Sequence, residues 1–199
     1  MSAGVFITAD THFGHAGALA RFDRPWSDVE AMEDGLVAAI NREVGADDLL
    51  YHLGDFVGPV PEGVSKTELA ERVRARIDCR RIVLLRGNHD PVGKPRFDRL
   101  FESVHDLLSF RGWEGPGGGG DHRIVLGHYP LRVWQGRPGG ALHLHGHTHG
   151  TLEEQGRATD VGVDCWGYRP RPLGEVLAML AARPVDHPER ASRLQPDRD

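Results

Sequence analysis

The sequence predicts an α/β protein whose functional site lies at the carboxyl ends of its strands. Short apolar runs alternate with stretches of helical periodicity in the first half of the chain, the rhythm of strand, helix, strand. Each of those runs ends in a cluster of polar, metal-competent side chains, the place where open α/β sheets bind their ligands. The 199 residues also include 12 histidines, an excess that needs a chemical reason.

Residues 4–9 read as a short buried strand running into Asp10-Thr11-His12. Ser27-Asp28-Val29-Glu30 is a capping box with Ser27 as N-cap, and behind it Val29, Met32, Leu36, Ala39 and Ile40 recur at helical spacing until Gly45. Residues 49–53 form a second strand, ending in Gly54-Asp55. A second capping box, Ser65 to Glu68, opens a helix that places Leu69, Val73 and Ile77 on one face and Arg72, Arg74 and Arg76 largely on the other. Residues 82–85 form the third strand, followed by Gly87-Asn88-His89-Asp90. The second half holds short strand candidates at 104–110, 123–126, 141–144 and 158–163, and a last helix at 175–182. The glycine-rich stretch 115–120 reads as a flexible loop. Residues 1–182 form one domain, and 183–199, rich in proline and charge, form a poorly ordered tail.

Composition narrows the function classes. With 39% hydrophobic and 27% charged residues, the chain matches an ordinary globular protein. No apolar run approaches the roughly 20 residues of a membrane span, and no signal-peptide pattern opens the sequence. Cytoplasmic localisation is the expectation. Cys79 and Cys165 stand far apart and read as small packed thiols. A net charge of −5 argues against a broad basic surface that would track along nucleic acid, but not against a local positive site made by bound cations.

Five clusters end strands: Asp10-Thr11-His12, Gly54-Asp55, Gly87-Asn88-His89-Asp90, Gly127-His128 and Gly146-His147-Thr148-His149. In an extended segment residues i and i+2 share a side, so Asp10 with His12, and His147 with His149, each present a pair of ligands. Carboxylates, an amide oxygen and imidazoles form an oxygen and nitrogen donor set suited to Mn, Fe, Zn, Co or Ni. One DxH or HxH alone is a weak sign. Five in this order resemble the calcineurin-like metallophosphoesterase family, with its ordered signature DxH, GD, GNH[DE], GH and GHxH, over roughly residues 4–165. The run from Thr8 to His15, with Arg24-Pro25-Trp26 and the later Val161-Gly162-Val163-Asp164, Trp166 and Tyr168, is similar to a small bacterial and phage branch.

The resemblance implies a four-layer α/β/β/α sandwich of two mixed sheets flanked by helices. It implies two divalent transition-metal ions, manganese foremost. Asp10, His12 and His149 match the ligands of one, Asn88, His128 and His147 those of the other, and Asp55 the bridge. His89 matches the catalytic histidine that contacts phosphate and protonates the leaving oxygen, with Asp90 the acidic position beside it. Many relatives continue the second motif as GDxxDR, whereas here it reads Gly54-Asp55-Phe56-Val57-Gly58-Pro59, so the usual partner that orients the histidine is absent. His15 is a further candidate for substrate contact, alongside Asn88 and His89. His52 is expected to pack in the second strand, and His143 and His145 to support the site from behind. Arg21, Arg24, Arg169 and Arg171 are candidate phosphate contacts.

The implied reaction is in-line attack on phosphorus by a metal-bridging hydroxide. A compact domain without a cap insertion favours a phosphodiesterase acting on nucleic acid or a cyclic or small nucleotide, with a phosphomonoesterase as the alternative. A noncatalytic protein-binding scaffold on the same fold would be expected to have lost motif residues, and none is lost here. No obligate protein partner is evident.

Overall fold

The computed structural model describes residues 3–112 and 121–186. The loop expected at 115–120 and most of the expected tail lie outside them. Four strands, β1 (Val5–Thr8), β2 (Leu49–His52), β3 (Arg81–Leu85) and β4 (Ser103–His105), run parallel, and β9 (Arg171–Pro172) joins β1 antiparallel, giving the order β4-β3-β2-β1-β9. The second sheet has the order β5-β6-β7-β8, built from β5 (Leu107–Arg111), β6 (Arg123–Gly127), β7 (Leu142–His145) and β8 (Ala158–Asp160). There β5 is antiparallel to β6 and the remaining pairs are parallel. Both sheets are mixed, and they stack face to face in the predicted sandwich.

Alternation along the strands divides the core. Leu50, Ile82 and Leu84 face α2 (Val29–Glu43) and α3 (Lys66–Arg74), whose Met32, Leu36, Ile40, Leu69 and Val73 close the first layer. Ile7, Val83 and Leu85 face the other way, onto Ile124, Leu126, Leu142 and Leu144 of the second sheet. The last helix, α5 (Leu173–Ala181), adds Val176, Leu177 and Leu180 to this inter-sheet core. Over the far face of the second sheet, Leu131, Trp134 and Ala141 pack on Val125 and Ala158.

Some boundaries differ from the expected ones for identifiable reasons. Asp28, not Ser27, caps α2, accepting a hydrogen bond from the Ala31 amide while the Ser27 hydroxyl bonds Asp28. Ser65 caps α3 as expected, accepting from the Glu68 amide at 3.3 Å. The single strand expected at 104–110 is two, β4 in the first sheet and β5 in the second, with the chain crossing between sheets at Asp106. An uninterrupted apolar pattern cannot reveal that its partners change. Two short helices, α1 (Gly17–Arg21) and α4 (Pro95–Asp98), lie in segments read as connections. At the C-terminus the chain stays tied down past 182, because Arg183 donates to the Ala158 carbonyl and Asp186 pairs with Arg137. Of the two cysteines, Cys79 is buried, but Cys165 is exposed rather than packed.

Candidate metal centre

The loops after β1, β2, β3, β6 and β7 converge at one end of the sandwich and bring all seven expected ligands together. Asp10, His12 and His149 present donor atoms within 4.8 Å of one another, and so do Asp55, His128 and His147. Asp55 belongs to both groups by distance: its Oδ2 is 3.4 Å from His12 Nε2 and 3.6 Å from His128 Nε2. Asn88 Oδ1 lies 3.0 Å from His128 Nε2 and 2.9 Å from His147 Nδ1, on the side of the second group.

The backbone reaches this arrangement differently from the expected extended pairs. Asp10, His12, Asp55, His147 and His149 all have positive φ, between 49° and 72°. Left-handed backbone costs an ordinary residue energy and concentrates at functional sites, where surrounding structure imposes it. Here β1 ends at Thr8 and β7 at His145, and each chain curls so that two left-handed residues flank one ordinary residue. The ladder continues through the curl: the amides of Asp10, His12 and Phe13 donate to the carbonyls of Gly54, Asp55 and Phe56. Gly54, at φ +91°, starts the matching curl after β2. Gly146 is required by proximity instead, since a Cβ there would overlap Asp10 Oδ2.

The donors fit divalent cations. Asp10 Oδ1 and His12 Nε2 are buried without a hydrogen-bond partner, and both belong to the Asp10–His12–His149 group. Burial, then the neighbouring carboxylates of Asp160 and Asp55, push the Asp10 carboxyl well above its usual range. A bound cation relieves that repulsion. Burial, with His149 and Arg24 nearby, pushes His12 far below the usual imidazole range, so it is neutral and free to donate a lone pair. Burial also lowers His128, against the opposing pull of Asp55.

Several residues that sequence reasoning missed hold these ligands. His149 Nδ1 donates to Asp164 Oδ2 at 2.6 Å, which directs Nε2 toward the centre. Asp164 is in turn held by Arg24 through two 2.9 Å hydrogen bonds, and the same guanidinium donates to the carbonyls of Asp10 and Thr11. Arg24 is therefore an internal strut and not a phosphate contact, a correction that follows from its full burial. Arg169 and Arg171 face Glu43 and Glu175, leaving Arg21 as the expected arginine that lines the cleft. Phe22 stacks on the His149 ring at 3.5 Å. Asp160 ties down the last ligand loop by accepting from Thr148 Oγ1 and the Gly150 amide.

His89 stands at the mouth of the site, about a third exposed, with Nε2 3.9 Å from Asp55 Oδ2. Its backbone is fixed at both ends. The His89 amide donates to Asp55 Oδ1 at 2.8 Å, and Lys66 Nζ donates to the His89 carbonyl at 2.6 Å. Asp90 turns inward, its carboxylate accepting from the Val57 and Gly87 amides, and burial pushes it up to about 7. That placement does not suit the expected catalytic role, because the carboxyl is committed to backbone away from the cleft. His15 lines the cleft with Nδ1 3.4 Å from His12 Nδ1. His52 is buried against Thr11 Oγ1, as expected. His143 and His145 are not behind the ligands: they share the outer face of β7, opposite the core-facing Leu142 and Leu144.

A cleft of about 540 Å³ lies over the centre, lined by His12, His15, Arg21, His89, His147 and His149 among others. A family model described as calcineurin-like phosphoesterase matches residues 4–151. An uncharacterized protein of Methanocaldococcus jannaschii is 26% identical over 183 residues, covering 88% of this chain and 90% of that protein. The gene 66 protein of Mycobacterium phage D29 is 29% identical over 201 residues, covering 89% and 96%. A solved structure of a protein of unknown function from Aquifex aeolicus superposes with a TM-score of 0.62 at 23% identity, over 88% of this chain and 98% of that one. That likeness is one of fold.

Proposed function

Because this chain belongs to the calcineurin-like phosphoesterase family and is thereby a metal-dependent hydrolase of phosphoester bonds, we propose that it is a phosphodiesterase working with two divalent metal ions, manganese foremost. The observation that carries the reading is the position of Asp55, whose one carboxylate oxygen is within 4 Å of His12, His89 and His128. A single carboxylate thus joins both ligand groups to the proton-carrying histidine. Asp10, His12 and His149 would hold one ion, Asn88, His128 and His147 the other, and Asp55, within reach of both groups, would serve both. When bound, such ions supply Lewis-acid charge at phosphoryl oxygens and lower the pKa of a water toward neutrality.

The chain's own residues supply orientation and proton transfer. His89 contacts the phosphoryl group and protonates the leaving oxygen, help typically worth roughly 10² to 10⁴ in rate. His15 and Asn88 complete the phosphate contacts. Arg21 lines the cleft and can pair with phosphoryl charge, and diester preference is supported by the shape of the cleft. The open cleft leaves room for a substituent on each side of phosphorus.

The deciding experiment strips the protein of metal, reloads it with Mn, Ni, Co or Zn, and compares bis-aryl with mono-aryl phosphate. Faster diester turnover is expected. A monoester preference under every metal overturns the diesterase assignment.

A further inference from the structure

A second cavity, of about 400 Å³, opens on the outer face of the second sheet, and its walls are continuations of the ligand loops. The loop that carries His128 runs directly into Pro130, Leu131 and Arg132, and the loop that carries His147 and His149 runs into Leu152 and Glu153; both segments line the cavity. Leu152 lines the catalytic cleft as well, so the two spaces share this exposed side chain.

Its lining combines apolar and aromatic side chains with charges of both signs and one open acceptor of fixed orientation. Trp134 is buried, anchored by its indole N–H to the Ala141 carbonyl, and lies against the His143 ring. His143 Nε2 accepts from the Leu131 amide, so its proton is on Nδ1, donated to the Val125 carbonyl. His145 is 2% exposed. Its Nδ1 donates to the Gly146 carbonyl at 2.9 Å, which leaves Nε2 as an acceptor with no partner among the described residues. On the wall of the cavity this acceptor is open to a donor carried by a ligand.

Charge selects the ligand. Arg137 is paired with Asp186, and Glu154 with Arg183. Arg132 and Glu153 at the rim add one charge of each sign. The cavity therefore carries no net charge to attract a phosphate or a cation. A volume in the range of ordinary ligand pockets, walls that include Leu131, Leu152 and Trp134, over whose ring the Arg137 guanidinium sits at 4.5 Å, and a lone acceptor fit a neutral, planar heteroaromatic ring that bears an N–H. We propose that this cavity is a nucleobase subsite, which takes the base of a nucleoside ester whose phosphate occupies the cleft across Leu152. The inference rests on the phosphodiesterase reading for its role in catalysis, but not for the binding itself.

The test separates the two. Metal-free, isotope-labelled protein is titrated with free nucleosides and, separately, with inorganic phosphate, while the Trp134 indole and the His145 ring nitrogens are followed by NMR. Nucleosides are expected to shift both saturably and phosphate neither. His145→Phe is expected to weaken nucleoside binding by about tenfold, the scale of one lost hydrogen bond, whereas His145→Gln, which still offers an acceptor, retains most of it. In the metal-loaded enzyme, His145→Phe is expected to lower kcat/KM for a nucleoside aryl phosphodiester, relative to that for a bis-aryl phosphodiester, by about tenfold and through KM. Absent nucleoside shifts in a protein that hydrolyses the bis-aryl ester overturn the subsite alone. Shifts produced by phosphate instead, or an unchanged ratio in His145→Phe, overturn it too. Nucleoside binding without diester turnover sustains the cavity assignment and overturns the diesterase reading.

Discussion

The Nδ1 of His149 and the Oδ2 of Asp164 lie 2.6 Å apart, and Arg24 grips the same carboxylate from the protein interior. Burial alone would raise the Asp164 carboxyl, yet the hydrogen bonds from His149 and Arg24 hold it below the usual carboxylate range. A carboxylate behind a ligating imidazole fixes the ring's tautomer and raises its basicity, and removing such a group typically costs roughly 10 to 100-fold in metal affinity. Asp164→Asn is therefore expected to weaken metal binding by about that factor. Turnover should recover toward wild type at saturating metal. Chelator competition measures the affinity, and an unchanged affinity would remove Asp164 from the support of His149.

His89 is held by its backbone where the familiar acid-and-arginine continuation is missing. His89→Ala is expected to keep its metal content and lose roughly 10² to 10⁴ in kcat, the value of general-acid help. Lys66 donates to the His89 carbonyl but reaches no reacting atom. Lys66→Met should thus lower kcat by about tenfold, the scale of one hydrogen bond to a charged group, with KM and metal content little changed. Lys66→Arg should restore most of the loss. Metal analysis beside steady-state kinetics separates the two residues, and equal metal loss in both variants would sink the distinction.

The five ligand clusters and the rhythm of the parallel strands were legible because each depends on neighbours in the chain: an apolar run, then a polar turn. Arg24, Asp164 and Lys66 were not legible in their roles. Arg24 and Asp164 are 140 residues apart, and a lone arginine looks the same whether it faces phosphate or a buried carboxylate. His143 and His145 misled for a related reason. Their alternation with His147 is real in the sequence, but it stops at the end of β7, where the backbone turns left-handed and carries His147 off the strand's face. The one strand that proved to be two failed similarly, since periodicity records which face is apolar and not which sheet supplies the partner.

Gly146 offers a sharp test of how closely the ligand loops approach one another. Its hydrogen faces Asp10 Oδ2, the oxygen that accepts from the His147 amide. Gly146→Ala pushes a methyl group into that space and must displace either Asp10 or the His147 loop. Loss of the metal proposed for Asp10, His12 and His149 is expected, with the fold retained, because the core strands lie below the substitution. Metal content and circular dichroism of the purified variant check this. Full metal occupancy would show that the loops have slack.

Stability should fall with acidification in a window set in part by His143. The ring is fully buried, and burial lowers its pKa to about 4, against a usual value near 6.5. Between those values the unfolded chain binds a proton that the folded chain refuses, so unfolding free energy rises with pH from about 4 to about 6.5 and is level above. A shift of this size corresponds to roughly 3 kcal/mol across the window, as an upper figure for one group. His143→Asn removes the titration but loses packing against Trp134, so it should be less stable than wild type at neutral pH and show a shallower fall toward pH 4.5. Denaturant unfolding at half-unit pH steps reads both slopes. Parallel slopes in the two proteins would assign the acid sensitivity to other groups.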